Sequence, residues 1–374
     1  MDFIVLVLNL AAAQGLLLSF FLYYKRKNHV PNLFIASYTL ITSFVLFIFQ
    51  FKDQGLYISV ESIRYATFLL IYISGPLLYL YTKYLIGEKQ QIDTSIIKHF
   101  AAIPVVIGIE MLFPNSVLYT LDHADELHPE DAFDQLYILE YILILSTIGY
   151  LLISFKKIWV FDGLALNLFS NMESANLNWL RNLLLLFSAF LFIHLIDTSL
   201  DYLQWDLKLS SYIMKLGFPV LIYVISYKAL TQPEIFKELR TSELSMPLKQ
   251  SYQSSGLKED KAKQHVDRLL TFMEEEKPYL DCNLTIEDLA KSLGISRHHL
   301  TEVINKYLKK NFYEFVNEFR LEKVKTLLLD KSKTHITLVG IAFEAGFNSK
   351  TTFNTLFRKE TGLTPTAFRK QHTN

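Results

Sequence analysis

Two sets of residues in this chain have types and spacings that can do chemistry. One lies near the C-terminus, where Ser296 and Ser349 each open a run carrying Lys, Arg, Thr and Asn at helical spacing, the first with His as well. With Leu300, Val303 and Ile304 turned inward, His298, Thr301, Glu302 and Asn305 face outward on the first run. With Phe353, Leu356 and Phe357 inward, Lys350, Thr351, Asn354, Thr355 and Arg358 face outward on the second. Side chains of these types hydrogen-bond base edges in the major groove of a duplex, where all four base pairs are distinguishable. Arg297, Lys306, Lys309, Arg358 and Lys359, with the helix starts at Ser296 and Ser349, suit phosphates. Glu302 is the acidic exception, able to accept from cytosine N4 or to act against wrong bases.

The second set is polar and sits in apolar surroundings. His194 and Asp197, three residues apart on one helical face, lie inside a run of Leu, Ile and Phe. Buried ionisable groups are costly in such surroundings, so this pair is the candidate input site, for a proton or a small ligand. Glu110, Glu140 and Lys215 are the other ionisable groups in such runs. The bland reading is that each only hydrogen-bonds a neighbouring helix. Nothing points to catalysis: Walker loop, dinucleotide fingerprint, HExxH and GxSxG are all missing. His298 and His299 are adjacent and point apart on a helix, and the lone Cys282 precludes a thiolate cluster, so neither metal nor cofactor is expected.

The elements that must position these residues differ sharply between the two halves. The 374 residues are 51% hydrophobic and only 20% charged, with zero net charge. That zero hides a split: residues 1–230 carry 14 basic and 18 acidic side chains, and residues 231–374 carry 23 and 19. The last 84 residues alone reach +8. Seven apolar stretches, at 3–24, 33–51, 64–86, 96–113, 136–155, 179–200 and 211–230, approach the length that crosses about 30 Å of hydrocarbon as helix. The fifth holds twelve Leu, Ile or Phe, giving insertion roughly −4 to −7 kcal/mol against about 2–3 for its one Glu140.

The first stretch has an acidic start and a basic end, the reverse of a secretory signal. With that N-terminus outside, ten Lys/Arg fall on the inner side and four on the outer, and the acidic loop 114–135 falls outside. Seven crossings then place the C-terminal half in the cytoplasm. The expected division is a transmembrane sensor at 1–230, a linker with a connecting helix at 231–279, and a DNA-reading domain at 280–374. Within the linker, Val266, Leu269, Leu270 and Met273 give the 259–277 helix an apolar side, either a dimer seam or a surface for the next domain.

Helix-turn-helix grammar is written twice. Thr285 and Asp288 form a capping box, Ala290 allows close approach, Gly294 turns the chain and Ser296 caps the next helix. Ala342, Gly346 and Ser349 repeat the pattern roughly 52 residues later, across a helix-forming run at 312–329. Residues 280–372, above all IAFEAGFNSKTTFNTLFRKETGLTPTAFRK, resemble the tandem helix-turn-helix domain of the arabinose-regulator (AraC/XylS) transcription factors. The whole layout resembles membrane-bound members from bacteria of the Bacteroidetes type. Lys310-Asn311-Phe312 stands where that family more often has Gly and a small polar residue.

The resemblance implies an all-α fold, a seven-helix bundle followed by two DNA-reading subdomains. It implies that helices near 296–308 and 349–360 enter successive major grooves, with His298, Thr301 and Glu302, and Lys350, Thr351, Asn354 and Thr355, at base-contacting positions. The expected partners are double-stranded promoter DNA and the bilayer, with RNA polymerase, a signal and a second copy of the chain as further ones. The expected location is the cytoplasmic (inner) membrane, multi-pass. The competing reading is a receptor or transporter whose cytoplasmic tail binds a protein.

Overall fold

The computed structural model describes residues 3–26, 28–53, 60–87, 92–101, 103–104, 129–173, 175–203, 217, 220–225, 228 and 259–372. These are helical throughout, apart from loops and one isolated β-bridge. They fall into two compact units, Met1–Trp159 with Leu177–Thr241, and Val160–Asn176 with Ser242–Asn374. The units are drawn differently from the sequence division at 230 and 280, because residues 160–176 pack with the C-terminal part.

The first unit contains α1 (Phe3–Tyr24), α2 (His29–Asp53), α3 (Val60–Leu85), most of α4 (Pro129–Ala165) and α5 (Asn178–Tyr202). Four stretches among the described residues, not seven, are long and apolar enough to cross a membrane: Leu6–Tyr24, His29–Phe47, Glu140–Ala165 and Asn178–Leu200. The fourth expected stretch opens as a 3-10 helix, Thr94–Phe100, because the Asp93 carboxylate takes the Ser95 N–H at 2.8 Å and tightens the turn. Its remainder with Glu110, most of the seventh stretch with Lys215, the acidic segment 114–128 and the linker 231–258 lie outside the described residues.

Helix packing here departs from the order found in water, burying hydroxyls beside Leu, Ile and Ala while leaving large apolar side chains exposed. Ser19, Thr39, Thr42, Ser43, Thr82, Thr147 and Ser154 are buried. Most of their hydroxyls donate to the carbonyl one turn back, such as Thr42 to Tyr38 at 2.8 Å and Thr147 to Leu143 at 3.0 Å. Leu17, Phe20, Phe44, Leu145, Leu152 and Phe192 stand 60–65% exposed. A soluble helix buries such residues and shows its hydroxyls. Small residues let the helices meet: a Cβ on Gly15 would strike the Ser43 hydroxyl of α2, and one on Gly75 would come within 3.1 Å of the Thr147 Cα.

The second unit is built from α6 (Glu259–Glu275), α7 (Ile286–Leu293), α8 (Arg297–Glu302), α9 (Phe312–Leu329), α10 (Leu338–Glu344), α11 (Lys350–Thr361) and α12 (Pro365–His372). Two cores hold it. Leu269 and Met273 of α6 join Leu289, Leu293, Leu300, Val303, Ile304, Phe312 and Phe315 in the first. The connecting helix thus packs onto the first helix-turn-helix core, with Val266 and Leu270 partly buried against it. The second core gathers Val324, Leu328, Ile341, Ala342, Phe347, Phe353 and Phe357. Helix α9 contributes to both cores and ties them together.

Candidate nucleic-acid interface

Local rules position the reading helices. Thr285 caps α7 with a complete capping box, accepting the Asp288 N–H at 3.2 Å while the Asp288 carboxylate takes the Thr285 N–H at 3.1 Å. Gly294 (φ +65°) then turns the chain left-handed, and Ser296 caps α8 by accepting the His299 N–H at 3.2 Å. In the second copy Gly346 (φ +93°) supplies the turn, and Ser349 accepts the Thr352 N–H at 3.3 Å to start α11. The turn after the first copy places its left-handed residue at Lys309 (φ +56°), and Asn311 caps α9 with Glu314 at the third position. That is how Lys310-Asn311-Phe312 serves where the family more often has Gly.

The two reading helices present different faces. On α11, Lys350, Thr351, Asn354, Thr355, Arg358 and Lys359 are all exposed, and Ser349 is buried as the cap. On the first, Ser296, His298, Lys306 and Lys309 are exposed and Arg297 half-buried, but Thr301 and Glu302 are buried, at 8% and 1%. The outward orientation expected for those two is corrected by the structure. Leu300 to Ile304 are five consecutive buried residues, so this helix is covered on more than one side.

Its backbone also departs from a regular α-helix. Residues Val303–Tyr307 form a π turn, with the Leu308 N–H bonded to the Val303 carbonyl at 3.2 Å. Such π turns are frequent at functional sites. The Thr301 hydroxyl donates back to the Arg297 carbonyl at 2.9 Å, and Glu302 Oε1 receives Lys306 Nζ at 3.3 Å. That hydrogen bond, followed by the neighbouring Tyr307, holds the Lys306 ammonium above its ordinary pKa. No signal in helical periodicity marks Thr301 and Glu302 as buried.

Residues 289–371 match the model of the family described as "Helix-turn-helix domain". An HTH-type transcriptional regulator from the cgkA 5' region of Pseudoalteromonas carrageenovora is 33% identical over 125 residues, covering 32% of this chain and 72% of that one. The chain belongs to the helix-turn-helix-type transcriptional regulators. This regulator is also 28% identical over 106 residues to the melibiose operon regulatory protein of Escherichia coli K12, covering 28% of its own length and 33% of that protein. It spans about a third of the melibiose regulator. No solved structure matches it.

The remaining candidate of this regulator, the polar pair in the bundle, is arranged differently from the expectation. His194 is buried on α5, and its Nε2 lies 2.8 Å from Glu140 Oε1 of α4. Thr198, one turn on, donates to the same oxygen at 3.1 Å, and Tyr141 donates to Ser199 at 3.1 Å. The structure therefore gives His194 a partner across the helix pair, and Asp197 on its own helix is half-buried. No group of three His, Cys, Asp or Glu able to hold a metal occurs among the described residues.

Proposed function

We propose that this transcription regulator is integral to the cytoplasmic membrane and couples a signal in or across the bilayer to sequence-specific promoter binding. The observation that carries it is the packing of α1, α2, α4 and α5, whose outer surfaces show Leu, Ile and Phe while Ser and Thr hydroxyls lie buried beside Leu, Ile and Ala between the helices. Lipid accepts such a surface, and water does not. The seven-crossing topology with the N-terminus outside rests on the ten-to-four bias of Lys and Arg between the two sides.

On DNA, Lys350, Thr351, Asn354 and Thr355 read bases from the open face of α11, and His298 reads from α8. Thr301 and Glu302 join that readout only when α8 is uncovered. Arg297, Lys306, Lys309, Arg358 and Lys359, with the helix starts at Ser296 and Ser349, take phosphates. His194, with Glu140 and Asp197 nearby, is the input site. A reporter active only in the cytoplasm tests the topology: fused after Asn374 it works, and fused near Asp125 it does not. The opposite pattern sinks both membrane topology and cytoplasmic DNA binding. Recovery of DNA cross-linked to the intact protein in cells then names the operators.

A further inference from the structure

We propose that Leu166–Asn171, the segment between α4 and α5, is a docking strap that sets the relation between the two DNA-reading units by gripping Arg320. The strap lies in the second unit although it joins two candidate membrane spans. Its backbone pairs with the start of the first DNA-reading unit, inside the same compact unit, in a short antiparallel bridge, Phe169 opposite Thr285. Ser170 N–H donates to the Leu284 carbonyl at 3.2 Å, and Ile286 N–H donates to the Leu168 carbonyl at 3.0 Å. The second bond satisfies an N-terminal amide of α7, one of those a helix leaves open. Tyr313 N–H at the start of α9 donates to the Leu166 carbonyl at 2.9 Å, and Leu168 packs on the first core.

Ser170 then meets Arg320, which is 1% exposed. A guanidinium has five N–H donors, and all five are placed. Nε donates to the Tyr279 carbonyl at 2.8 Å, and Nη2 to the Asp281 carbonyl at 2.8 Å and to Ser170 Oγ at 3.0 Å. Nη1 donates to the Ser170 carbonyl at 3.0 Å and to Asn317 Oδ1 at 3.3 Å. Two of the five acceptors therefore belong to the strap. Ser170 Oγ also donates to the Leu284 carbonyl at 2.7 Å, and Asn317 donates to the Ser170 carbonyl at 3.2 Å.

On its other side Arg320 faces the second DNA-reading unit. Its Cζ lies 6.0 Å from the Phe347 ring, and the turn glycine Gly346 is so close that a Cβ there would come within 3.1 Å of Arg320 Nε. One buried cation thus touches the strap, the segment before the first DNA-reading unit, and the turn of the second DNA-reading unit. Undocking the strap leaves two N–H groups of that cation without acceptors, so Arg320 and both units must readjust together. Movement of α4 against α5 pulls on the strap, and DNA binding pulls back on it by the same coupling.

The proposal rests on the membrane-regulator reading, and its test separates the two. The full chain in lipid nanodiscs is presented with a pool of duplexes carrying two half-sites at varied spacing. The wild-type chain selects one spacing. Ser170→Pro removes the N–H that bonds Leu284, and amide exchange at Ile286 and Tyr313 rises at least tenfold. Its discrimination between spacings falls about tenfold while the preferred bases within each half-site stay the same.

Ser170→Ala, which keeps the backbone and removes Oγ, lowers discrimination about threefold and carries the test if the proline variant does not accumulate. Unchanged spacing preference in Ser170→Ala, or in Ser170→Pro with accelerated exchange, overturns the strap and leaves the reading intact. If the wild-type chain selects no duplex, the DNA-binding reading fails and takes the strap with it.

Discussion

Replacing Gly346 by Ala separates two costs that usually come together. At φ +93° any L side chain is strained, by about 1–2 kcal/mol. In addition its Cβ would stand 3.0 Å from the Leu280 Cα and 3.1 Å from Arg320 Nε, and closer still to the Tyr279 carbonyl oxygen. Two of these neighbours are backbone, which yields poorly, so overpacking adds about 1–3 kcal/mol. The sum is roughly 2–5 kcal/mol. Gly294, also left-handed at φ +65°, has nothing within 4 Å of a built Cβ, so Gly294→Ala carries the backbone cost alone. Hydrogen exchange of the full chain measures both, at the Ala345 and Phe347 amides bonded to the Ile341 and Ala342 carbonyls. Gly346→Ala speeds exchange there by about 30-fold or more, and Gly294→Ala, whose strain falls on the other core, speeds it less. Equal effects of the two substitutions would refute the close approach of the second turn to Tyr279 and Arg320.

Three further outcomes are expected. Lys359→Ala weakens binding to all duplexes alike and lowers the salt slope by about one, whereas Thr351→Ala changes preference at one base pair by about 1 kcal/mol, both read by titration at several salt concentrations. Burial, then the charges of Arg268, His299 and Lys261, hold His265 below its ordinary 6.5. The unfolded chain therefore binds the extra proton first, and stability of the second unit is full above about 6.5 and declines as pH falls through it. Thermal unfolding between pH 7.5 and 5 shows this slope, and His265→Gln flattens it. Glu140→Gln and His194→Ala are non-additive in thermal unfolding of the detergent-solubilised chain, with a coupling of about 0.5–3 kcal/mol. Either change alters promoter response without changing DNA affinity of the second unit. Strict additivity would dissolve the pair.

What the sequence showed follows the range of its signals. Caps and turns are local, so Thr285, Ser296, Ser349, Gly294 and Gly346 were legible from neighbours three or four residues away. The apolar faces of α6, α8 and α11 were legible for the same reason. Contacts that join distant segments through main-chain atoms leave no trace in residue type. Leu166–Asn171 reads as an ordinary loop, and only three-dimensional placement brings Ser170 to Arg320, 150 residues later. His194 has a carboxylate three residues away on its own helix, and periodicity offers Asp197. The partner, Glu140, comes from another helix that periodicity cannot align. Thr301 and Glu302 were misplaced because a heptad view assigns each helix one covered face, and α8 has more than one.

Helix α4 runs for 37 residues, about 55 Å, well beyond the roughly 30 Å of a hydrocarbon core. Near its C-terminal end Lys156 and Lys157 precede Trp159, which is 75% exposed, a combination that suits the headgroup layer. The helix then continues six residues to Ala165, an axial rise of about 9 Å. Ionic screening at physiological salt acts over about 8 Å. On the membrane reading, the extra turns of α4 carry its C-terminal end a full screening length past Lys156, Lys157 and Trp159.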